Sequence, residues 1–349
     1  MKIRILGTES LGVRGLSCEV VLKNRKVVID PGLALGYRRY GLLPHPAQVA
    51  VGEQVRMKII AALTDATDIV LSHFHGDHIP LPNANPYQLN AHQVAHLFRT
   101  VRLWSKGPKG LSNHMALRRE ALIEILGRNL PNAENQKDGP LKFSLPVPHG
   151  DPNMASGAVM MTRIEDEDGV FVHASDIQLL DSQALEIILA WRPNIVLASG
   201  PALYRSSLSP RQRQQAWENA IRLACGVDTL ILDHHLLRSE SGLNWLKHLA
   251  SKTGRNVLCA ADFMGHRRCL LEAWRVRLYN EMPVPDGWHE AYASGETDTS
   301  AFQVYTGMQD NNYFNMATLK SMRCEEDELA CMWDLYLQGD TRDTDGVDD

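Results

Sequence analysis

The stretch Ser72-His73-Phe74-His75-Gly76-Asp77-His78 places three imidazoles and one carboxylate within six residues. It follows Asp68-Ile69-Val70-Leu71, a short apolar run that is typical of a buried strand. Because a strand cannot continue through the His-x-His-x-Asp-His pattern, we expect the ligands on the loop at its carboxyl end, where open α/β sheets place their sites. Imidazole and carboxylate groups suit zinc, iron or manganese. Potential ligands this close together predict two ions that share one activated water.

Further side chains of the metal-binding type follow other predicted strands. His149, Asp176 and the run Asp233-His234-His235 each come where a predicted strand stops and a loop begins. None of them lies inside a predicted helix. The sequence therefore predicts that several strand ends supply ligands to one centre.

The order of these residues, His-x-His-x-Asp-His followed by His, Asp and His, resembles the metallo-β-lactamase superfamily. The resemblance implies an α/β fold, a four-layer αββα sandwich with the metals at one edge, here with a C-terminal extension. It implies two divalent cations, and a ligand set that can be carried over residue by residue. His73, His75 and His149 would bind the first metal, Asp77 and His78 the second, and Asp176 would bridge both.

The same resemblance implies roles for residues around the ligands. The last ligand is His234 or His235, and the run Leu230–His234 resembles the final strand of the ribonuclease Z branch, which favours His234. Asp30 matches the first motif of the superfamily, in which it supports the ligand loop without binding a metal. His173 lies inside its strand on the face opposite the ligand position, so we expect it in the core or behind the ligands.

A closer resemblance connects the chain to the UPF0282 group, a largely archaeal branch of predicted metallohydrolases with no established substrate. It spans residues 1 to about 285, whereas the segment 100–116 departs from the pattern of the group. The strings that carry it are Glu9-Ser10-Leu11-Gly12-Val13-Arg14, Ile29-Asp30-Pro31-Gly32, Arg39-Tyr40-Gly41-Leu42, Val147-Pro148-His149-Gly150, His173-Ala174-Ser175-Asp176-Ile177-Gln178 and Leu232-Asp233-His234-His235.

The predicted ligand set indicates a dinuclear metallohydrolase, with zinc as the first choice of metal and iron or manganese as alternatives. A metal-activated bridging hydroxide would attack an ester or phosphoester bond, with Asp77 and Asp176 as the carboxylates that take part in catalysis. Basic residues near the metals would favour an anionic small-molecule substrate. The candidates for substrate contact are Arg14, Arg38, Arg39, Lys106 and Tyr204, and Arg238 lies just past the last ligand.

Two other functions stay open at this point. A nuclease of the same superfamily is suggested by the ribonuclease-Z-like strand, but the net charge of −5 gives no general attraction for nucleic acid. A non-catalytic, metal-binding interaction subunit is suggested by Met332, Trp333 and Tyr336 on a predicted helix, which would offer a partner surface. Self-association into a homo-oligomer also stays open.

The domain organisation follows from length and composition. We assign residues 1–289 to the sandwich, with the Pro- and Gly-rich segment 79–116 as a candidate lid. Residues 290–337 are expected to form a C-terminal extension with a helix, and the acidic residues 338–349 a disordered tail. The six scattered cysteines, and the lack of a secretory signal or a membrane-length apolar run, predict a cytoplasmic protein that does not bind membranes.

Overall fold

The computed structural model describes residues 1–151, 157–307 and 313–316 of the chain. Its strands, numbered along the chain, are β1 Lys2–Gly7, β2 Ser17–Val21, β3 Lys26–Ile29, β4 Asp68–Leu71, β5 Arg102–Ser105, β6 Lys137–Asp138, β7 Leu141–Phe143, β8 Val147–Pro148, β9 Ala158–Val159, β10 Thr162–Asp166, β11 Gly169–His173, β12 Ile195–Ala198, β13 Thr229–Leu232, β14 Asn256–Leu258 and β15 Phe314–Asn315. Within the described residues one sheet has the order β15-β1-β2-β3-β4-β5, a second has the order β14-β13-β12-β11-β10-β7-β6, and β8 pairs with β9.

Along the chain, most of the helices come between strands of these sheets. They are α1 Pro46–Thr64, α2 Ala91–Val94, α3 Asn113–Leu126, α4 Ser182–Ala190, α5 Pro210–Cys225, α6 Ser241–Thr253, α7 Ala260–Phe263, α8 Arg275–Glu281 and α9 Trp288–Ser294, with 3₁₀ helices at Ala95–Phe98, Leu236–Arg238 and Ser300–Tyr305. Over the ranges that the structure covers, no helix combines the length and apolarity that crossing a bilayer would require.

The central strands are covered on both faces. Every residue of β4, β12 and β13 is buried, as expected for parallel strands that read as continuous apolar runs. Helix α1 packs on β1 of the first sheet, and α5 packs on β13 of the second. Between the sheets, His173 Nε2 at the end of β11 donates to the Leu16 carbonyl oxygen just before β2, at 2.9 Å. The predicted αββα sandwich is therefore confirmed.

The segment 79–116, predicted as a lid, is for most of its length built into the sandwich. Strand β5 pairs in parallel with β4 at the edge of the first sheet. Val94 and Phe98, from the helical turns before it, have no exposed surface. These apolar side chains stabilise the segment by burial, which a Pro- and Gly-rich composition does not reveal. Residues 106–112 are irregular, and a lid function for the segment stays a prediction.

The described residues beyond 289 pack on the same compact unit, which runs from Met1 to Met316. Tyr292 and Thr299 donate hydrogen bonds to the two carboxylate oxygens of Glu53 on α1, at 2.8 and 2.6 Å. Strand β15 pairs with β1 at the edge of the first sheet. The predicted helix at 325–337 and the acidic tail at 338–349 lie outside the described residues.

The first residue of β4 anchors the strand that leads into the ligand loop. The side chain of Asp68 is fully buried and accepts hydrogen bonds from Arg102 Nε at 2.8 Å and Arg25 Nε at 3.0 Å. Trp104 Nε1 donates to the same carboxylate at 2.9 Å. Although burial opposes ionisation, the bonds from Arg102 and Arg25 hold the pKa of the Asp68 carboxyl well below its usual value.

We predict that Asp68→Asn lowers the free energy of unfolding at pH 7 by about 2 kcal/mol, because charged hydrogen bonds are lost. The pKa of the Asp68 carboxyl is lower in the folded protein than in the unfolded chain, where it is near 4. The ionised carboxylate therefore contributes its full stabilisation above about pH 4, and this contribution is lost as the pH falls further. The difference in the free energy of unfolding between Asp68→Asn and the wild type should therefore become smaller below about pH 4. Urea unfolding across this range measures it.

The matched control is Asp65→Asn. The side chain of Asp65 is 68% exposed and pairs with Lys26 at the surface, so its loss should cost less than about 1 kcal/mol. Equal destabilisation by the two substitutions would contradict the assigned role of Asp68.

Candidate metal centre

Loops from both sheets meet at one edge of the sandwich. The ligand loop Ser72–His78 follows β4 of the first sheet, and Asp176 follows β11 of the second. His149 follows the short strand β8, and His234 and His235 follow β13. Their ligand atoms form overlapping groups in which all atoms lie within 4.8 Å of one another. The groups are His73, His75, His149 and Asp176; Asp30, His73 and His78; Asp77, His78 and His234; and Asp176, His234 and His235.

One oxygen of Asp176 faces a first set of imidazoles. Asp176 Oδ2 lies 2.8 Å from His149 Nε2 and 3.2 Å from His235 Nε2. The same oxygen lies 3.4 Å from His73 Nε2 and 3.6 Å from His75 Nδ1. This set contains the three histidines expected for the first metal, and the structure adds His235 to it.

The other oxygen of Asp176 faces a second set. Asp176 Oδ1 lies 3.2 Å from His78 Nε2 and 3.6 Å from His234 Nε2. Asp77 Oδ2 completes the set at 3.4 Å from His234 Nε2. The structure thus brings both His234 and His235 to the cluster, each on a different side of Asp176.

The donor atoms fit divalent cations. Ligands bound to one zinc ion at about 2.0–2.2 Å stand about 3.0–3.6 Å from each other, and most of the separations within each set lie in this range. In the described part of the chain, His78 Nε2 and Asp176 Oδ1 are buried side-chain atoms without a hydrogen-bond partner. Such atoms are costly to bury. The two atoms lie 3.2 Å from each other as an ion pair, and a cation between them would be coordinated by both.

The charge state of most ligands also suits metal binding. Burial lowers the pKa of His73 to about 3, and burial together with the charge of Arg238 lowers that of His234 to about 4. Burial opposes ionisation of Asp176, but the charges of His78 and His235 hold the pKa of its carboxyl well below the usual value. Neutral imidazoles and ionised carboxylates are the forms that bind metals. His78 is the exception, because the carboxylates of Asp176 and Asp30 outweigh burial and raise its pKa.

Several residues in and beside the cluster have strained backbone conformations. Asp30, Ser175 and His234 have φ angles of 48°, 54° and 32°, in the left-handed region that non-glycine residues rarely adopt. Each such residue costs of order 1–3 kcal/mol. His234 and its neighbour His235 both approach Asp176.

Asp30 forms one of these groups with His73 and His78 and holds the ligand loop in place. Its Oδ2 accepts a hydrogen bond from His78 Nδ1 at 2.9 Å, which leaves His78 Nε2 for the centre. Asp30 Oδ1 accepts a bond from the backbone N–H of Ser72 at 2.8 Å, and Oδ2 accepts one from the Ser72 hydroxyl at 2.6 Å. His173 belongs to none of the ligand groups among the described residues and joins the two sheets instead.

Two glycines allow other loops to touch the backbone of the ligand loop. A Cβ on Gly32 would lie 2.3 Å from Ile79 N and 2.4 Å from His78 C. A Cβ on Gly15, whose φ is +125°, would lie 2.5 Å from Asp77 O. Close backbone approach therefore requires glycine at both positions.

The predicted substrate-contact residues have different environments. Arg14 forms a two-pronged ion pair with the buried carboxylate of Glu272, at 2.6 and 2.5 Å, and Arg39 Nη1 reaches the same carboxylate at 3.3 Å. The guanidinium of Arg39 lies over the rings of Tyr40 and Tyr204, at 4.9 and 5.2 Å. Arg14 and Arg39 thus meet at Glu272, and Tyr204 lies against Arg39.

The structure does not bring the other two candidates to the cluster. Lys106 Nζ is buried and bonds to Glu134 Oε1 at 2.7 Å and the Gly107 carbonyl oxygen at 3.0 Å. It directly follows the edge strand β5, so its ammonium is enclosed by the neighbouring turn. Arg38 is exposed and donates to the Gly41 carbonyl oxygen at 3.2 Å.

Arg238 and Glu9 complete the side of the centre near Asp77. Arg238 Nη2 donates to Asp77 Oδ2 at 3.3 Å and lies 2.9 Å from His234 Nε2. Arg238 Nε donates to Glu9 Oε1 at 2.9 Å, and its Nη1 donates to the Tyr204 hydroxyl at 3.2 Å. Sequence reasoning assigned no role to Glu9. Its position could have indicated a role, because Glu9 comes just after the carboxyl end of β1 and the other site residues also follow strands.

Comparisons with known proteins place the chain in a family. No family model matches it. The chain is 52% identical over 296 residues to a UPF0282 protein of Methanosarcina mazei, which covers 85% of this chain and 97% of the relative. It is 34% identical over 293 residues to a UPF0282 protein of Methanopyrus kandleri, which covers 80% of this chain and 100% of the relative. The chain belongs to the UPF0282 family.

Two solved structures show a more distant likeness. One is the isothiocyanate hydrolase from Delia radicum gut bacteria, with a TM-score of 0.44 and 16% identity, covering 74% of this chain and 95% of that one. The other is Tm1679, a metal-dependent hydrolase of the beta-lactamase superfamily, with a TM-score of 0.44 and 15% identity, covering 74% and 96%.

Proposed function

We propose that this protein is a dinuclear metallohydrolase that cleaves an ester or phosphoester bond of an anionic small molecule. The observation that supports it most is the division of the ligands around Asp176. Its two oxygens face two different sets of donors, at 2.8–3.6 Å. A single buried carboxylate in this position can hold two cations side by side.

The residues of the site would divide the work as follows. Two divalent cations, with zinc as our first choice, would lower the pKa of a bound water toward neutrality and polarise the bond to be cleaved. Asp176 would keep both cations together, because it is ionised and nearly fully buried. Asp77, whose side chain is 15% exposed, would accept a hydrogen bond from the attacking water and orient it. Arg238 would hold Asp77 in place through its hydrogen bond.

The substrate has an approach from one side. The side chain of His75 is 30% exposed, whereas those of His73 and His149 are 0% and 6% exposed. A cavity of about 720 Å³ lies between residues 110–114 and the β8–β9 pair. Pro148, the residue before His149, lines this cavity. We propose that it receives the part of the substrate beyond the scissile bond.

Hydrolysis assays on metal-loaded protein test the proposal. Protein reconstituted with Zn²⁺, Mn²⁺ or Fe²⁺ should hydrolyse bis(p-nitrophenyl) phosphate or p-nitrophenyl esters, and His75→Ala should lose this activity. His92→Ala is the matched control, because His92 is an exposed histidine on α2 outside the cluster. Lack of turnover by fully loaded wild-type protein on every one of these substrates, or equal turnover by His75→Ala, would contradict the proposal.

A further inference from the structure

The open side of the metal centre carries an arginine that the sequence analysis did not single out. Gly76 lies between the ligands His75 and Asp77. A Cβ on Gly76 would lie 3.7 Å from the guanidinium carbon of Arg118. Arg118 belongs to α3, which follows the irregular segment 106–112. Its guanidinium therefore stands beside the most exposed part of the ligand loop.

The donors of Arg118 are largely unused. In the ranges that the structure describes, its hydrogen bonding consists of one long contact, from Nη1 to the Phe74 carbonyl oxygen at 3.5 Å. Over the same ranges it forms no ion pair, whereas Arg14 is paired with Glu272 and Arg238 with Glu9. A guanidinium carries five N–H donors in a planar fork. Arg118 thus keeps both its charge and most of its donors for another partner.

The position of α3 connects this arginine to the cavity. The cavity is lined by residues of the first turn of the same helix, Asn113 and His114, and by Ser112, which caps it. The opposite wall includes Pro148, next to His149 in the chain. A molecule that fills the cavity and reaches the metal centre would pass close to the helix that carries Arg118.

We propose that Arg118 binds the anionic group of the substrate, an oxyanion of the phosphoryl or carboxylate type, as it enters beside His75. This inference rests on the proposed function. A planar guanidinium matches the paired oxygens of such groups with two parallel hydrogen bonds. Arg14 and Arg39 share the carboxylate of Glu272, and Arg238 pairs with Glu9 and Asp77, whereas Arg118 has no carboxylate partner within the described structure.

Binding of inorganic phosphate to the zinc-loaded protein tests this inference. Isothermal titration should show that Arg118→Met weakens phosphate binding by about 10- to 100-fold, because charge-assisted hydrogen bonds are lost. Arg118→Lys, which keeps the charge but not the fork, should give an intermediate value. Arg119→Met is the matched control, since Arg119 is the next residue on α3 and donates to the Leu130 carbonyl oxygen at 3.0 Å. It should bind phosphate as the wild type does.

Zinc content and the thermal unfolding midpoint are measured for every variant. If Arg118→Met carries as much zinc as the wild type and binds phosphate equally well, the inference is overturned. Wild-type protein that holds two zinc ions but does not bind phosphate also overturns it, while the hydrolase proposal stands. Wild-type protein that cannot hold zinc, manganese or iron overturns both.

Discussion

Asp176→Ala is expected to remove both cations and, with them, hydrolysis. In the wild type, Asp176 Oδ2 lies 2.8 Å from His149 Nε2, and Asp176 Oδ1 lies 3.2 Å from His78 Nε2. Removing the carboxylate takes away the ligand that the two sets of donors share. It also leaves the imidazoles of both sets without the negative charge that faces them. We expect metal content to fall from about two ions per chain to less than about one, and turnover to fall by at least about 1,000-fold. Elemental analysis after gel filtration, together with the hydrolysis assay, measures both effects.

Two further variants make this prediction specific. Asp176→Asn keeps the size of the side chain but not its charge, so it should also lose metal while the protein stays folded. Asp228→Asn is the control, because Asp228 is exposed and accepts a bond from Asn194 Nδ2 at 2.8 Å, outside the ligand groups. Retention of two tightly bound ions by Asp176→Ala would contradict a bridging role for this residue.

Gly32→Ala should disturb the centre without changing any ligand. The added Cβ would lie 2.3 Å from Ile79 N and 2.4 Å from His78 C, and both are backbone atoms that cannot rotate away. The ligand loop must therefore move, and it carries Asp77 and His78. We expect a loss of about 3 kcal/mol in the free energy of unfolding and weaker binding of the second cation. Urea unfolding and a metal titration monitored with Co²⁺ measure these two effects.

Gly52→Ala is the matched control for this substitution. Gly52 lies inside α1, and its added Cβ would contact the Leu35 side chain at 3.5 Å, an ordinary van der Waals distance. Alanine is favoured over glycine within a helix, so stability should stay the same or rise by up to about 1 kcal/mol. A Gly32→Ala protein that is as stable as Gly52→Ala and binds metal normally would show that the loops do not need this close contact.

The convergence of these histidine and aspartate side chains was predictable from the sequence because each follows a strand, and the carboxyl ends of strands meet at one edge of a sandwich. Their role as metal ligands stays a prediction. The choice between His234 and His235 was not predictable, because the folded chain brings both imidazoles close to Asp176. With a φ of 32° at His234, both imidazoles reach Asp176, on opposite sides of the carboxylate. A residue pattern does not encode such a strained conformation, and the surrounding structure must impose it.

The partners of the arginines could not be predicted either. Arg14 and Glu272 are 258 residues apart in the chain, and Arg238 and Glu9 are 229 apart. Whether a basic residue is paired or available for a substrate depends on these contacts between distant segments. The sequence therefore singled out Arg14 and Arg39, which both contact the Glu272 carboxylate, and passed over Arg118. The edge strand β5 was missed for a similar reason, because it pairs with residues of β4 that lie 34 positions earlier, such as Asp68 with Arg102.

Anomalous diffraction at the zinc absorption edge, from crystals grown with zinc, tests the central claim most directly. Our account predicts two anomalous peaks, one on each side of the Asp176 carboxylate. The first should be bound by His73, His75 and His149, and the second by Asp77, His78 and His234. A single peak in fully zinc-loaded crystals, or none within reach of the His73–His78 loop, would contradict it.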